Sequence, residues 1–365
     1  MPDVTCGKCR SQKLEGIYII HFMEQVLQHS SRNKGTSNHE DAKNLESLGI
    51  FEEHILIRLI GDGLPACRDS KLFIKDLHFD EVPVRIYLPR LPSASKRREV
   101  IFFHGGCGMF GSINDTFKQF TNLCICNNSC LLYISGYHLF PERKYPAQTL
   151  DCLTATVHFL KTAENYRVDP DSITVCGDSA GGTFTASICQ ELVNIRVTPK
   201  IHAQVRIYPL LQALNFNLPS HQKNAFIAFL SQECTVCFIL KYLNKDCSMN
   251  EAILAGSHVP KSMNLKYRKW INPDLITKIF KLGYKPPLPT SFLPQVHEEM
   301  NCLRQDFPTV SRRYHGLLYR KLLKCDLAPH GRGFHCALGF FGYGIFSFPS
   351  PSKMANHAVD FIKGY

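Results

Sequence analysis

From Arg98 onward, short strand-like runs alternate with stretches of helical period. Val100–Phe103, Cys130–Ser135, Ile173–Cys176 and Ala203–Tyr208 are rich in apolar and β-branched residues and are too short for helices. Leu150 to Tyr166 carries apolar residues at helical spacing, with Leu153, Val157 and Leu160 on one face. Gly181 to Leu192 reads as a second helix, rich in small residues. Strands joined by crossover helices predict an α/β fold with a mostly parallel sheet. The functional loops of such a sheet gather at the carboxyl ends of its strands. From Asn215 to about Pro294 the alternation stops, and that stretch reads as a mostly helical cap insertion. Residues 49–95 are expected to join the cap. The organisation predicted is a divergent, poorly ordered N-terminal segment, 1–48, followed by one α/β domain over 49–365.

Chemistry enters at two strand ends. Gly177-Asp178-Ser179-Ala180-Gly181 lies between a buried strand and a helix of small residues. A G-x-S-x-G turn at such a junction forces the serine backbone into a tight bend. The bend lifts Oγ above the sheet and sets the next N–H at the start of the helix, where negative charge is favoured. Small neighbours are required, because a larger side chain would strike the strand or the helix. The run Arg98–Phe103 leads into a second motif, His104-Gly105-Gly106-Cys107-Gly108. Glycines after a strand let N–H groups approach a carbonyl oxygen, as an oxyanion hole requires. Both motifs, in that chain order and each behind its own strand, predict an α/β-hydrolase framework.

With those motifs in place the chain resembles the hormone-sensitive-lipase-like carboxylesterases, and within them the arylacetamide deacetylase-like family. The carriers are the His104-Gly105-Gly106 loop, the Gly177–Gly182 elbow, and Gly136-Tyr137-His138-Leu139-Phe140-Pro141-Glu142, where the family has D-Y-R-L-A-P-E. Tyr145-Pro146-Ala147, Asp151-Cys152, Val168-Asp169-Pro170, Gly333-Phe334-His335 and Val359–Gly364 add to the likeness. The resemblance implies a serine ester or arylacetamide hydrolase that forms an acyl-enzyme. Ser179 would be the nucleophile and His335 the general base. Gly105, Gly106 and Ala180 would donate to the oxyanion, with His104 anchoring the loop. Asp178 is expected to be a structural neighbour of the serine, and His138 a weakened form of the family's arginine anchor. No metal or organic cofactor is implied, and the substrate would be a small apolar ester or amide.

Two stretches depart from the family. The resemblance implies an apolar anchor in the endoplasmic reticulum membrane, with the enzyme on the lumenal side. Met1–Leu48 contains no apolar run near the 18 or so residues a span requires, so a chain without its anchor, and a cytoplasmic location, is the competing expectation. The second departure concerns the triad acid. Counting back from Gly316–Lys321, the aspartate position holds Val310, and no strand-like run precedes it. The C-terminal part of the sheet is therefore expected to be incomplete. Asp306 is the nearest acid at a comparable distance from His335, Asp326 being too close, and a vacant acid position is the favoured expectation. The alternative function is a catalytically impaired homologue that binds lipid or small apolar ligands.

Composition narrows the rest. A chain of 365 residues with 44% apolar residues can bury a large core. The net charge is +11, from 42 Lys and Arg against 31 Asp and Glu. No groove-reading or aromatic-interleaved motif accompanies the basic clusters, so a solvated basic face is expected, without nucleic acid as a partner. Association with an anionic membrane surface is the secondary expectation. Cys6/Cys9 and Cys234/Cys237 have C-x-x-C spacing, but 16 cysteines scattered along the chain read as mostly buried thiols rather than a metal site.

Overall fold

The computed structural model of the chain describes Arg58 and residues 71–113, 131–223, 225, 230–268, 271–288 and 290–301. The chain separates into two compact units, Met1–Ala66 with Phe110–Asp115, and Cys67–Met109 with Thr116–Tyr365. All the elements named below belong to the second unit.

Among the described residues its core is a sheet of six strands: β1 (Leu72–Phe79), β2 (Val82–Pro89), β3 (Arg97–Phe103), β4 (Leu131–Ser135), β5 (Val168–Asp178) and β6 (Ala203–Ile207), in the order β1-β2-β4-β3-β5-β6. The four strands read from the sequence, β4, β3, β5 and β6, lie side by side and pair in parallel. Val100, Ile101, Phe102 and Phe103 of β3 and Ile173, Val175 and Cys176 of β5 are all fully buried. Continuous burial is what strands covered on both faces require, and it explains their unbroken apolar character.

Residues 72–89, assigned by sequence to the cap, instead form a hairpin at the edge of this sheet. Asp80 and Glu81 both take positive φ, 47° and 71°. A two-residue turn of that hand matches the right-handed twist of paired strands. β2 then pairs antiparallel with β4, extending the sheet. The hairpin was hidden because Lys75, Asp76 and His78 interrupt the apolar residues of β1 on the exposed outer strand.

The two helices lie close to their expected positions. The first, α1 (Ala147–Thr162), continues into a 3-10 turn ending at Tyr166, but its buried face is rotated from the expected one. Cys152, Ala155, Thr156, Phe159 and Leu160 face inward, whereas Leu153 and Val157 are only partly buried. Thr156 turns inward without penalty because its hydroxyl donates to the Cys152 carbonyl at 2.7 Å. The second helix, α2 (Ala180–Ile195), buries Gly181, Gly182, Phe184 and Ile188. Between 215 and 299 the described residues hold only short helices and 3-10 turns: α3 (Pro219–Lys223), α4 (Gln232–Tyr242), α5 (Asn250–Leu254), α6 (Lys261–Tyr267) and α7 (Pro294–Glu299). Among the described residues no helix is long and apolar enough to cross a membrane.

Candidate active site

β5 ends at Asp178 and α2 begins at Ala180, leaving Ser179 alone at the corner with φ 49° and ψ −118°. This left-handed conformation is rare for a residue with a side chain. Hydrogen bonds on both sides hold it. The Ser179 N–H donates to the Ile207 carbonyl of β6 at 2.9 Å, while the Ser179 carbonyl accepts from Thr183 N–H at 3.1 Å. Thr183 in turn donates its hydroxyl to the Leu210 carbonyl at 2.8 Å.

The flanking glycines are demanded by close approach. A Cβ on Gly177 would lie 2.3 Å from the Gly181 oxygen, and one on Gly181 would lie 2.0 Å from the Phe103 oxygen. Both distances are shorter than any side-chain carbon tolerates, and in both cases the obstacle is backbone. The G-x-S-x-G spacing is thus the record of α2 starting directly against the ends of β5 and β3.

The loop after β3 sits against this corner. A Cβ on Gly105 would come within 3.1 Å of Ser179 Cβ and 2.7 Å of Asp178 Oδ2. Asp178 Oδ1 accepts the Gly105 N–H at 2.8 Å, and the Tyr208 hydroxyl donates to Oδ2 at 3.4 Å. Burial pushes the Asp178 carboxyl up to about 7, against the opposing pull of those two donors. The Gly105 N–H was expected to face the oxyanion; it is instead engaged with Asp178, because the carboxylate reaches it across the β3–β5 pair. Beyond it Gly106, Cys107 and Gly108 all take positive φ, and Met109 N–H closes the turn onto the Gly106 carbonyl at 2.9 Å.

His104 is locked from behind. Its ring stacks on Tyr137 with centroids 4.2 Å apart, and Nδ1 lies 2.8 Å from the Gly105 oxygen and 3.0 Å from the Tyr137 hydroxyl. That hydroxyl also donates to the His104 carbonyl at 2.9 Å. Such a network fixes the direction of the glycine loop. His138, expected to be a weakened anchor, keeps one: its N–H and its Nδ1 both meet Asp151 Oδ2, at 2.8 and 2.7 Å. Desolvation, with Cys234 adding to it, pushes the Cys107 thiol up to about 12.

The structure therefore brings together His104, Gly105, Gly106, Ser179 and Ala180. His335, Asp306, Val310 and Asp326 lie outside the described residues. The sequence reading did not anticipate the Asp178–Gly105 bond, the Tyr208 donor or the stacking of Tyr137 on His104. The Tyr137 signal was present in the matched motif, but its partner lies 33 residues away.

Comparison with known proteins places the fold in the α/β-hydrolase class. A family model of the α/β-hydrolase fold matches residues 100–262. Human arylacetamide deacetylase-like 4 is 36% identical over 348 residues, covering 87% of this chain and 85% of that protein. Bovine arylacetamide deacetylase is 36% identical over 234 residues, 62% of this chain and 58% of its own. Among solved structures, a fungal esterase of Rhizomucor miehei is similar in fold, with a TM-score of 0.51 at 21% identity, covering 81% of this chain and 83% of that one.

Proposed function

The chain belongs to the arylacetamide deacetylase-like family of α/β hydrolases, and from that premise we propose that it is a serine hydrolase of small apolar esters or arylacetamides. The observation that carries the reading is the Ser179 corner: a serine at φ 49° between β5 and α2, with the glycine loop of β3 against it. In the proposed reaction Ser179 Oγ attacks the substrate carbonyl and His335 takes its proton. The tetrahedral oxyanion is met by the N–H groups of Gly106 and Ala180, since Gly105 is engaged elsewhere. Ala180 opens α2, so the positive end of that helix adds to the same stabilisation. Collapse expels the alcohol or amine, protonated by His335, and water then releases the acyl group from Ser179. The acid that orients His335 is the open role: Asp306 is the nearest candidate, and a vacant position is the favoured expectation.

Labelling of the purified full chain with a fluorophosphonate tests this assignment. One adduct, on Ser179, is expected, and labelling that survives Ser179→Ala overturns it. A second reading, an impaired homologue that binds lipid or small apolar ligands, draws on Val310, which stands where the family has its aspartate. Turnover of p-nitrophenyl esters separates the two. Rapid hydrolysis lost in Asp306→Asn and kept in Asp326→Asn supports a complete triad, whereas labelling with negligible turnover supports the second reading.

A further inference from the structure

α4 lies behind the glycine loop. Its last residue, Tyr242, packs so closely on Gly108 that a Cβ there would meet the Tyr242 ring at 2.6 Å. The same ring meets Tyr145 edge-on at 5.4 Å. The helix is capped at its start, where Ser231 Oγ accepts the Cys234 N–H at 3.1 Å. Beyond Tyr242 the chain reverses sharply. Asn244 takes a positive φ of 58°, Lys245 N–H returns to the Leu240 carbonyl at 2.8 Å, and Asp246 caps the 3-10 turn Cys247–Met249 through Ser248 N–H at 2.8 Å. The reversal sets Cys247 directly onto Cys237, one turn and a half back along α4.

The Cys237 and Cys247 Sγ atoms are 2.7 Å apart. That separation is typical of an O–H···O hydrogen bond, between atoms much smaller than sulfur. It is only about 0.7 Å beyond a covalent S–S bond. Two thiols fixed by backbone turns on both sides, with their sulfurs this close, are set to be joined. We infer that Cys237 and Cys247 form a disulfide that staples the C-terminal end of α4 to the segment leading into α5. The sequence reads Cys234 and Cys237, despite their C-x-x-C spacing, as buried thiols. The fold turns Cys237 toward Cys247.

The exchange chemistry follows from accessibility, with an external disulfide such as oxidised glutathione as the oxidant. Cys247 is partly exposed and Cys237 is 1% exposed. The Cys247 thiolate attacks one glutathione sulfur and releases one glutathione thiol. Cys237, deprotonated, then attacks Cys247 Sγ of the mixed disulfide and releases the second. Two protein thiols lose two electrons and two protons, and one glutathione disulfide becomes two thiols. The closed loop fixes the turn that presents Tyr242 to Gly108.

The test uses the full chain treated with oxidised glutathione, alkylated without reduction and digested with trypsin. Cleavage after Lys241 and Lys245 puts the two cysteines on separate peptides. A linked pair joining 224–241 to 246–261 is expected, lost on reduction. The link must persist in Cys234→Ser and vanish in Cys247→Ser. The oxidised chain is expected to melt about 5 °C above the reduced one, with no such difference in Cys247→Ser. Full alkylation of both cysteines after oxidation, or a link that depends on Cys234 instead, overturns the inference. No readout relies on hydrolysis, so the result stands apart from the function proposed for Ser179.

Discussion

Asp178 and Glu99 are carboxyls buried in the same pair of neighbouring strands, at opposite ends. Asp178 closes β5 at the carboxyl end, where it accepts the Gly105 N–H and the Tyr208 hydroxyl. Glu99 stands near the start of β3, opposite Ile173, with no exposed surface and no hydrogen-bond partner for either oxygen among the described residues. Burial raises both groups above the ordinary carboxyl range, Glu99 with nothing to oppose it. One end of the sheet uses a buried acid to hold a loop in place. The other end buries an acid that has no hydrogen-bond partner among the described residues. Precision is therefore concentrated where the strands point, and the opposite end tolerates a destabilising residue so long as the core around it is intact.

The contrast breaks most severely at the serine. Ser179→Ala is expected to lower kcat/KM for an activated ester by about 10⁴-fold or more while leaving the melting temperature nearly unchanged. A loss of activity accompanied by unfolding would move the serine from chemistry to structure. Gly181→Ala should do the reverse. Its Cβ has only the Phe103 and His104 backbone to meet, so destabilisation of about 4 kcal/mol or more is expected, read by denaturant unfolding or by failure to accumulate folded protein.

Smaller changes sharpen the difference between the two acids. Asp178→Ala releases Gly105 and should reduce kcat/KM by about 10- to 100-fold, whereas Asp178→Asn keeps an acceptor and should recover most of it. Asp178 also predicts a pH dependence. Its folded value, about 7, lies above the ordinary 3.8. Between those values the native state holds a proton that the unfolded chain has released. The group's contribution to stability is thus full below about pH 4 and is lost as pH rises toward 7. Asp178→Asn should flatten that part of the stability profile.

Glu99→Gln should stabilise the chain by about 1–3 kcal/mol at pH 8, with unaltered ester hydrolysis. The gain should shrink as pH falls toward the ordinary glutamate value of 4.5, where the unfolded chain also becomes protonated. An equal gain at both pH values would mean that the ionisation of Glu99 has no part in it.

Legibility in the sequence followed the range of the forces involved. The elbow at Gly177–Gly181 and the glycines after β3 were readable because steric crowding acts on immediate neighbours and leaves small residues at fixed spacing. The parallel strands were readable because burial on both faces leaves short, nearly continuous apolar runs such as Val100–Phe103. The Asp178–Gly105 bond was not, since the two residues are 73 positions apart and meet only through the β3–β5 register. The face of α1 misled because Gln148 and Thr156 are buried, the Gln148 amide N–H donating to the Arg143 carbonyl and the Thr156 hydroxyl to the Cys152 carbonyl, while larger Leu153 stays half out. The hairpin of β1 and β2 escaped because its outer strand is mostly wet.

The backbone at Ser179 also bears on how this chain would fare under random mutation. Most substitutions in a folded protein subtract stability. At this corner the sign is inverted. Glycine adopts φ near +49° with no Cβ to oppose it, so Ser179→Gly should relieve a conformational burden of about 1–3 kcal/mol as it removes the hydroxyl. The sturdier molecule would be the inert one, and the serine is kept uphill of its own replacement.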